Sequence, residues 1–579
     1  MPTWRHTGIR FALGYAAVAA ALTVALTWPL FRHPSRTVLE ARSLYGDAHI
    51  LVQRDINLTM WVLAWDTHAL TTAPAQLFHG NVFHPAPHAL ARSEHMLGNV
   101  PLFGPVFLAT GNPVLAHQSA LLATFVLAAL AMGAYVFYWT RDPWAAAVGG
   151  LLYALAPFRL WQLGNLHVVS IHLLPLVLLG SDLTLDRRAR AAGPVVLCAG
   201  LLVSGLCSYY VGYQAFLAGA VYAGATALGA GRSGVRGLAR LLVPAGVAAV
   251  VIGSAAIPYL RLQLGGELPD YAGGRFDSFA FLGLLKEGVR GTLSFFVLPR
   301  RDGIPLFLGW TAIALAVVGA AAWRGRPRGP LLAVLASGVL LTLGPRVPSL
   351  PNVPLPYEWL ATVVPGFSAM RAPQRFGALA ALAVMPLAAF GLAWGRARLT
   401  ARRPRPAWGA LVALAALLGF VLEVAPGPLA TRPMPVGDAV PAVDRHLAQH
   451  GDGGSVLYVP FSEGWLFRES AFMYRSIFHW LPIVNGYSPY PPASYRQIAT
   501  AAEGLPDPAA LDAVLAAARP RWVVLLTNQL ADADRARWQA TLEARLRLVR
   551  RFERALLYEA PGAGREARGV GILTHVSAS

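Results

Sequence analysis

Long, nearly uninterrupted runs of apolar residues make up most of the first 425 positions, and polar residues gather in the links between them. Windows at 9–31, 114–138 and 376–394 each hold about 20 apolar residues, enough for an α-helix to cross about 30 Å of hydrocarbon. The pattern predicts eleven spans, near 9–31, 114–139, 144–163, 168–184, 193–210, 212–230, 239–258, 304–323, 330–344, 375–395 and 408–424. Val100–Thr110 is apolar but short, which favours a re-entrant or interfacial piece.

Composition and charge placement strengthen this topology. The 579 residues are 55% hydrophobic and only 13% charged, about half the charged fraction of a soluble domain. The formal charge of +19 comes mainly from arginines in alternate links, which is the positive-inside pattern and argues against a nucleic-acid partner. These arginines are Arg187, Arg188, Arg190, Arg232, Arg236, Arg240, Arg324, Arg326, Arg328, Arg396, Arg398, Arg402, Arg403 and Arg405. The N-terminus is therefore expected in the cytoplasm and the C-terminal segment outside.

The composition changes after the last predicted span. Charges return from about residue 427, and VLYVP, RWVVLLT and RALLYEA are typical of short strands. The stretches 507–518 and 532–546 predict helices, each opened by an aspartate suited to capping. We therefore expect a membrane domain at 1–425, with a first extracytoplasmic loop at 32–99, and a small extracytoplasmic α/β domain at 426–579. The two cysteines, Cys198 and Cys207, would lie on opposite faces of one helix and are not expected to form a disulfide.

The first loop carries three carboxylates in the stretch YGDAHILVQRDINLTMWVLAWD, namely Asp47, Asp55 and Asp66. The run INLTMWVLAW predicts an interfacial helix with Trp61 and Trp65 as anchors. Asp55 and Asp66 would then lie on one face, about 16 Å apart. That separation excludes a glycosidase-type pair, which needs about 5–9.5 Å. The simpler alternative is that Asp55 caps the helix and Asp47 lies in a turn.

The same loop continues as a polar, aromatic, histidine-rich segment, which is costly to hold against a membrane core unless it lines a site. It contains His79, His84, His88, Glu94 and His95. The histidine spacings match no zinc pattern, so ordinary hydrogen-bonded histidines are the alternative and no metal ligand is assigned.

Several motifs resemble a bacterial branch of the GT-C class of membrane glycosyltransferases. They are D-x-N-L-x-x-W-x-L-x-W-D, N-V-F-H-P, S-E-H, G-N-P, P-G-F-x-A-M-R-A-P-Q-R-F and H-W-x-P-I-V-N-G-Y-S, and together they follow nearly the whole chain in order. The resemblance implies a polytopic α-helical membrane protein with a GT-C-like arrangement and an outer C-terminal domain. It also implies transfer of a sugar from a polyprenyl-phosphate donor to a glycan, lipid or protein acceptor at the outer face of a bacterial inner membrane.

The class also implies an acidic catalytic base in the first loop. That role falls on Asp55 or Asp47, and Asp55 is preferred because the D-x-N-L-x-x-W frame matches the branch best. The leaving phosphate would need positive charge, or a divalent metal. Arg371 and Arg375, four residues apart around Pro373, are candidates, although arginines before a span also snorkel to the interface.

Further polar residues are expected to contact substrate. Glu94 and His95 lie in the first loop, and Arg159 and His167 lie near the outer end of the third span, where Arg159 could instead satisfy helix ends. In the outer domain, four residues of one segment either contact an acceptor or belong to a packed loop: His479, Trp480, Asn485 and Tyr487.

Two other functions compete with glycosyl transfer. A transporter or flippase of lipid-linked glycans would show repeated halves and mid-membrane charges, and no internal repeat is visible in the sequence. A non-catalytic envelope protein would tolerate substitution at the aspartates and arginines.

Overall fold

The computed structural model describes residues 3–45, 49–186, 192–268, 293–299, 306–346, 352–370, 372–402, 406–461 and 466–561. Helices form most of the first 425 positions. The longer ones are Thr3–Leu26, His49–Thr72, Val100–Thr110, Pro113–Thr140, Pro143–Ala154, Leu174–Leu185, Ala192–Cys207, Tyr209–Gly229, Ala239–Leu264, Trp310–Ala322, Arg328–Thr342, Gly377–Arg402 and Pro406–Val424. Short helices are Arg42–Tyr45, Pro157–Leu160, Leu166–Val169, Gly231–Gly237 and Pro356–Val363.

Every predicted span overlaps one of these helices, but not every helix is long enough to cross a membrane. In the described part of the chain, six are long and apolar enough: Pro113–Thr140, Leu166–Leu185, Tyr209–Gly229, Gly234–Leu264, Pro373–Arg402 and Ala407–Val424. The predicted span 144–163 ends early, at Ala154, because Pro157 lacks the N–H that would continue the helix. The number of eleven spans therefore stays a prediction.

The helix Gly377–Arg402 lies at the centre of the bundle, and its apolar stretch is entirely buried. A close helix–helix contact holds the neighbouring helix Trp310–Ala322 against it. A Cβ atom on Gly391 would collide with the backbone oxygen of Leu315, and one on Gly319 would collide with that of Leu387. Small residues at both positions let the backbones approach each other, as is usual in membrane bundles.

Polar contacts join helix ends that the topology predicts on the cytoplasmic side. Trp139 donates from Nε1 to Asp182 Oδ2 over 2.9 Å. Arg396 pairs with Asp142 at 2.9 Å between Nε and Oδ2. Both contacts agree with the predicted alternation of the links. Cys198 and Cys207 are free thiols, as expected.

A four-stranded sheet forms the core of the segment after the bundle helix Pro406–Val424. Its strands are β3 (Val456–Val459), β4 (Trp522–Leu525), β5 (Arg547–Phe552) and β6 (Ala555–Glu559), and they lie in the order β3-β4-β6-β5. β3 and β4 are parallel, whereas β6 is antiparallel to both β4 and β5. The three strands predicted from sequence are β3, β4 and β6; the arginine-rich β5 was not recognised because it is the more exposed edge strand.

Helices surround this sheet: Ala442–His450, Leu466–Ser476, Ala493–Ala502, Pro508–Ala518 and Asp532–Glu543. Asp507 caps its helix as predicted, since its side chain accepts from Ala509 N at 2.9 Å. Asp532 does not cap, because Ala531 occupies that position. We refer to residues 426–561 as the C-terminal α/β region.

Two further strands connect the first loop to the C-terminal α/β region. β1 (Thr37–Leu39) pairs antiparallel with β2 (Thr431–Pro433), with Thr37 opposite Pro433. The first loop is thereby held between the helix bundle and the sheet.

Candidate functional site

The helix that carries the first-loop aspartates is longer than predicted. It runs from His49 to Thr72, so Asp55 lies in its interior and does not cap it. Trp61 and Trp65 are 1% and 9% exposed, and their indole N–H groups donate to Asn81 Oδ1 at 2.9 Å and to the Leu77 carbonyl at 2.7 Å. The prediction that they anchor the helix at a membrane interface is therefore wrong, because both are enclosed by the rest of the first loop and by the C-terminal α/β region.

Asp55 is half-buried and contacts the C-terminal α/β region directly. The hydroxyl of Tyr487 donates a hydrogen bond of 3.1 Å to Asp55 Oδ1. The guanidinium carbon of Arg54 lies over the Tyr487 ring, 4.7 Å from its centroid. Asp47, the other candidate base, lies outside the described residues.

Asp66, the third carboxylate of this helix, is fully buried. Its Oδ2 atom accepts from Met96 N at 3.1 Å, and Oδ1 has no hydrogen-bond partner within the part of the chain that the structure describes. Burial raises the pKa of Asp66 to about 7, although the bond from Met96 opposes the rise. Eleven residues of helix separate Asp66 from Asp55, about 16 Å along the axis, so the two belong to different surroundings.

A five-residue segment, 92–96, connects the first loop to the ends of three bundle helices and to the C-terminal α/β region. The Ser488 hydroxyl donates to the Arg92 carbonyl, and Tyr259 Oη donates to the Ser93 carbonyl at 2.8 Å. Met96 at its other end holds Asp66. This segment contains Glu94 and His95, which the sequence predicted as substrate-binding residues.

Glu94 is held by neutral donors from the start of the helix Tyr209–Gly229. Ser208 Oγ donates to its Oε2 atom at 2.8 Å, and Tyr209 N donates to Oε1 at 3.0 Å. Burial raises the pKa of Glu94 above its ordinary value, and the positive charge of Arg375 opposes part of that rise. The structure thus brings Glu94 and Arg375 into one neighbourhood.

Arg375 lies just before the central helix Gly377–Arg402, and its side chain is half-buried. Its guanidinium carbon lies 4.4 Å from the centroid of the Tyr210 ring, while Gln214 Nε2 donates to its backbone oxygen at 2.9 Å. Among the described residues, the guanidinium itself makes no hydrogen bond or ion pair, so its donors are available to an anion. Arg371 lies outside the described residues.

His95 is 1% exposed and enclosed by the rings of Phe78, Tyr209 and Tyr259. Its Nε2 atom lies 3.0 Å from Tyr209 Oη. Burial lowers the pKa of His95 to about 4, so the ring is neutral near pH 7 and supplies no positive charge to a phosphate.

Arg159 takes the second of the two roles that the sequence left open. It is fully buried, and its N–H groups donate to Val169 O at 3.2 Å, Ala154 O at 3.0 Å and Thr124 Oγ1 at 3.0 Å. These acceptors are helix-end carbonyls and a neighbouring hydroxyl, so the Arg159 guanidinium stabilises the fold. His167 is half-buried in the helix Leu166–Val169.

The four candidates for acceptor contact in the C-terminal α/β region also include side chains that serve the fold. His479 and Asn485 are buried and bonded within the region, to Tyr458 and to Glu469. The Trp480 ring stacks on His68 at a centroid distance of 4.0 Å. Among the described residues, Tyr487 is the one of these four that contacts a predicted catalytic residue, Asp55. No local pattern indicates this pairing, because Tyr487 and Asp55 are 432 residues apart.

The sequence analysis did not single out Arg92, which lies in the segment 92–96 beside Glu94. It is 2% exposed, and its Nη2 atom forms an ion pair with Glu267 at the end of the helix Ala239–Leu264. A lone arginine in a loop carries no pattern that separates it from an ordinary surface residue. Within the described ranges, His, Cys, Asp and Glu side chains form no group of three or more that could hold a metal ion.

The arrangement offers two reactive features at one end of the bundle. One is an oriented carboxylate, Asp55, and the other is an uncommitted guanidinium, Arg375. The 92–96 segment contacts the surroundings of both, since Ser488 next to Tyr487 holds Arg92 and Arg375 lies near Glu94. Such a pair suits chemistry that removes a proton at one atom and stabilises an anion at another.

The chain was compared with known protein families, curated proteins and solved structures. No protein-family model matches the chain, and no curated protein matches it in sequence. The mycobacterial arabinofuranosyltransferase AftD is 17% identical with a TM-score of 0.52, over 95% of this chain and 40% of AftD. A mutant form of AftD gives 18% identity and a TM-score of 0.54, over 95% of this chain and 41% of that protein. ArnT from Cupriavidus metallidurans bound to undecaprenyl phosphate gives 12% identity and a TM-score of 0.46, over 94% and 97%.

The chain thus spans about two fifths of the length of AftD. At this level of identity the likeness to AftD concerns the fold alone.

Proposed function

We propose that this protein is an inverting glycosyltransferase that moves a sugar from a polyprenyl-phosphate donor to an envelope acceptor at the outer face of a bacterial inner membrane. The observation that carries the proposal is the half-buried Asp55 carboxylate, oriented by Tyr487, in a chain with the GT-C fold. The resemblance of the first-loop motifs to the same class supports it from the sequence.

In the proposed reaction Asp55 acts as general base, with Asp47 as the alternative. The acceptor hydroxyl oxygen forms a bond to the anomeric carbon of the donor sugar, and the hydroxyl proton passes to the carboxylate. The bond between that carbon and the phosphate oxygen breaks, and polyprenyl phosphate leaves with the electron pair. Attack opposite the leaving group inverts the anomeric centre.

Arg375 is proposed to stabilise the leaving phosphate, together with Arg371. Its guanidinium packs on Tyr210 and makes no hydrogen bond within the described residues, so it can donate two parallel N–H bonds to phosphate oxygens. Glu94 keeps this neighbourhood from accumulating positive charge when no donor is bound.

The Glu94 carboxylate is itself held by Ser208 and by the Tyr209 amide. The C-terminal α/β region covers the first loop on the proposed outer side, where a glycan, lipid or protein acceptor would arrive. The donor sugar is proposed to be a pentose or a hexose.

Formation of a covalent product tests this proposal. The full chain, purified in lipid nanodiscs, is incubated with undecaprenyl phosphate carrying a radiolabelled pentose or hexose and with an envelope extract as acceptor. We expect label to move from the lipid to a new, larger species. Movement of intact labelled lipid across proteoliposomes without a new bond would instead favour a flippase. The absence of both activities across the donor panel would favour a non-catalytic envelope protein.

A further inference from the structure

Tyr487 reaches the predicted base from the opposite end of the sequence. Its side chain is 4% exposed, and its hydroxyl lies 3.1 Å from Asp55 Oδ1. A hydroxyl that donates to a carboxylate fixes the direction of that carboxylate and stabilises its charged form relative to its protonated form.

The backbone around Tyr487 is fixed from two sides. Toward the sheet, Val484 N donates to the Val456 carbonyl of β3 at 2.9 Å. Toward the first loop, Ile483 N donates to the Asn81 carbonyl at 2.8 Å, and His84 N donates to the Ile483 carbonyl at 2.9 Å. The segment therefore lies between β3 and the first loop as an added strand-like piece.

The residues next to Tyr487 tighten this position. Tyr487 N lies 3.1 Å from Met473 Sδ, and Gly486 N donates to Glu469 Oε2 at 3.3 Å. A Cβ atom on Gly486 would lie 2.5 Å from the Phe83 ring, so only glycine permits this approach. Ser488 then bonds to the Arg92 carbonyl. The tyrosine hydroxyl has little freedom to move away from Asp55.

Arg54 adds an electrostatic contribution. Its guanidinium carbon lies 4.7 Å from the centroid of the Tyr487 ring, within the range of a cation–π interaction. Positive charge over the ring makes the phenol a stronger hydrogen-bond donor toward Asp55.

We infer that Tyr487 is a positioning residue for the Asp55 carboxylate, so that the C-terminal α/β region supplies part of the site and does more than cover it. This inference rests on the proposed function. It means that the geometry of the base depends on the docking of the C-terminal α/β region against the first loop.

The test is the pH profile of kcat for Tyr487→Phe in the full chain, measured in nanodiscs with the undecaprenyl-phosphate-linked sugar that supports transfer. The substitution removes only the hydroxyl. We expect kcat to fall about tenfold while KM for the donor stays within about twofold, because the inference assigns Tyr487 to the base and not to donor binding. The acid limb of the profile should move to higher pH by about one unit, since the carboxylate loses a donor that stabilises its charge.

Tyr495→Phe is the matched control. Tyr495 lies in the same region, and its hydroxyl donates to a different carboxylate, Glu469 Oε2, at the same distance of 3.1 Å. Both substitutions remove one buried hydroxyl from one carboxylate. We expect the control to keep the wild-type pH profile, because the Tyr495 hydroxyl donates to Glu469 and not to Asp55, the proposed base.

A Tyr487→Phe profile that overlays the wild type, or equal shifts in both variants, would overturn the inference. Each profile is normalised to its own maximum, so a smaller folded fraction does not affect its position. If Asp55→Asn abolishes transfer while the Tyr487→Phe profile is unchanged, the inference fails alone and the proposed function stands. If Asp55→Asn retains transfer, the proposed base fails, and the role of Tyr487 fails with it.

Discussion

Two carboxylates in different regions, Asp444 and Glu94, show how differently this protein treats buried acids. Asp444 is fully buried in the C-terminal α/β region and accepts two N–H bonds from Arg475, at 2.6 and 2.8 Å. Tyr458 donates a third bond to it at 2.9 Å. Glu94, in the first loop, is half-buried and accepts from Ser208 and from the Tyr209 and Tyr210 amides, while Arg375 makes no hydrogen bond to it within the described residues.

This difference distinguishes a group that stabilises the fold from groups that could take part in a reaction. Around Asp444 every charge has a partner, and the network closes through His479, whose Nδ1 accepts from Leu481 N and whose Nε2 lies 3.0 Å from Tyr458 Oη. Burial lowers the pKa of His479 to about 4, so the ring is neutral and the acid–arginine pair is self-contained. Around Glu94 the cation Arg375 is left available. We take the first arrangement as a device of folding and the second as part of a site.

The largest effect on stability is expected from a substitution that breaks the ion pair between Asp444 and Arg475. Asp444→Asn leaves the charge of Arg475 without its partner, and the free energy of unfolding of the C-terminal α/β region should fall by about 3–5 kcal/mol. Urea titration of the full chain, followed by limited proteolysis of that region, measures the change. The control is Asp438→Asn, an exposed acid that lies 3.8 Å from Arg445 and should change stability by less than about 1 kcal/mol. Equal effects at the two positions would contradict the comparison.

A smaller effect, on donor binding, is expected from a substitution of Arg375 near Glu94. Arg375→Gln should raise KM for the polyprenyl-phosphate donor about 10- to 100-fold, because a charge-assisted contact to the phosphate is lost. The free energy of unfolding should fall by no more than about 1 kcal/mol, since the guanidinium loses a cation–π contact with Tyr210 and no hydrogen bond within the described part of the chain. Donor titrations give KM.

Arg346→Gln provides the comparison for Arg375→Gln. Arg346 is an exposed arginine whose side chain pairs with Glu358 at 2.7 Å, so its loss should leave KM unchanged. If Arg375→Gln lowers stability and leaves KM untouched, then Arg375 belongs with Asp444 as a structural group.

The last comparison concerns the pH dependence of stability and a third acid, Glu469. Burial raises its pKa from the ordinary 4.5 to about 8, although Asn485, Tyr495 and the Gly486 amide oppose the rise. The folded chain therefore binds a proton here that the unfolded chain has lost. Its contribution to stability is complete below pH 4.5 and disappears as the pH rises to about 8.

Glu469→Gln has no proton to lose and should flatten this part of the dependence. Unfolding midpoints between pH 5 and pH 8.5 measure the slope. Asp66, with its pKa raised to about 7, contributes a residual slope of the same sign. Glu543→Gln, which replaces an exposed glutamate, should behave as the wild type. A slope that is the same in Glu469→Gln and the wild type would show that Glu469 does not set it.

The sequence predicted the features that depend on local pattern. Long apolar runs predicted the positions of the bundle helices, and short apolar runs predicted β3, β4 and β6. The predicted helix in the first loop exists, but its start was misplaced by several residues because LVQ, before Asp55, has no clear period. Trp61 and Trp65 were misassigned because an aromatic pair beside polar residues has the same pattern at an interface and under a covering domain.

The contacts that define the candidate site are long-range and were beyond pattern reasoning. Asp55 meets Tyr487, and Glu94 meets the surroundings of Arg375, only after the C-terminal α/β region and the central helix have packed. The sequence does not distinguish a substrate-binding Arg159 from one that satisfies helix ends, because a single arginine near a helix end fits both roles. Its three donated bonds show that it satisfies helix ends.

The most direct test of the central claim is the rate of sugar transfer by Asp55→Asn, with Asp47→Asn measured beside it and Asp534→Asn, at an exposed position, as control. The substitution keeps the shape of the side chain and removes the ability to take a proton. We predict that transfer by Asp55→Asn falls by about 10²- to 10⁴-fold with an unchanged unfolding midpoint, while the control keeps wild-type activity. Full activity in both Asp55→Asn and Asp47→Asn would contradict the account.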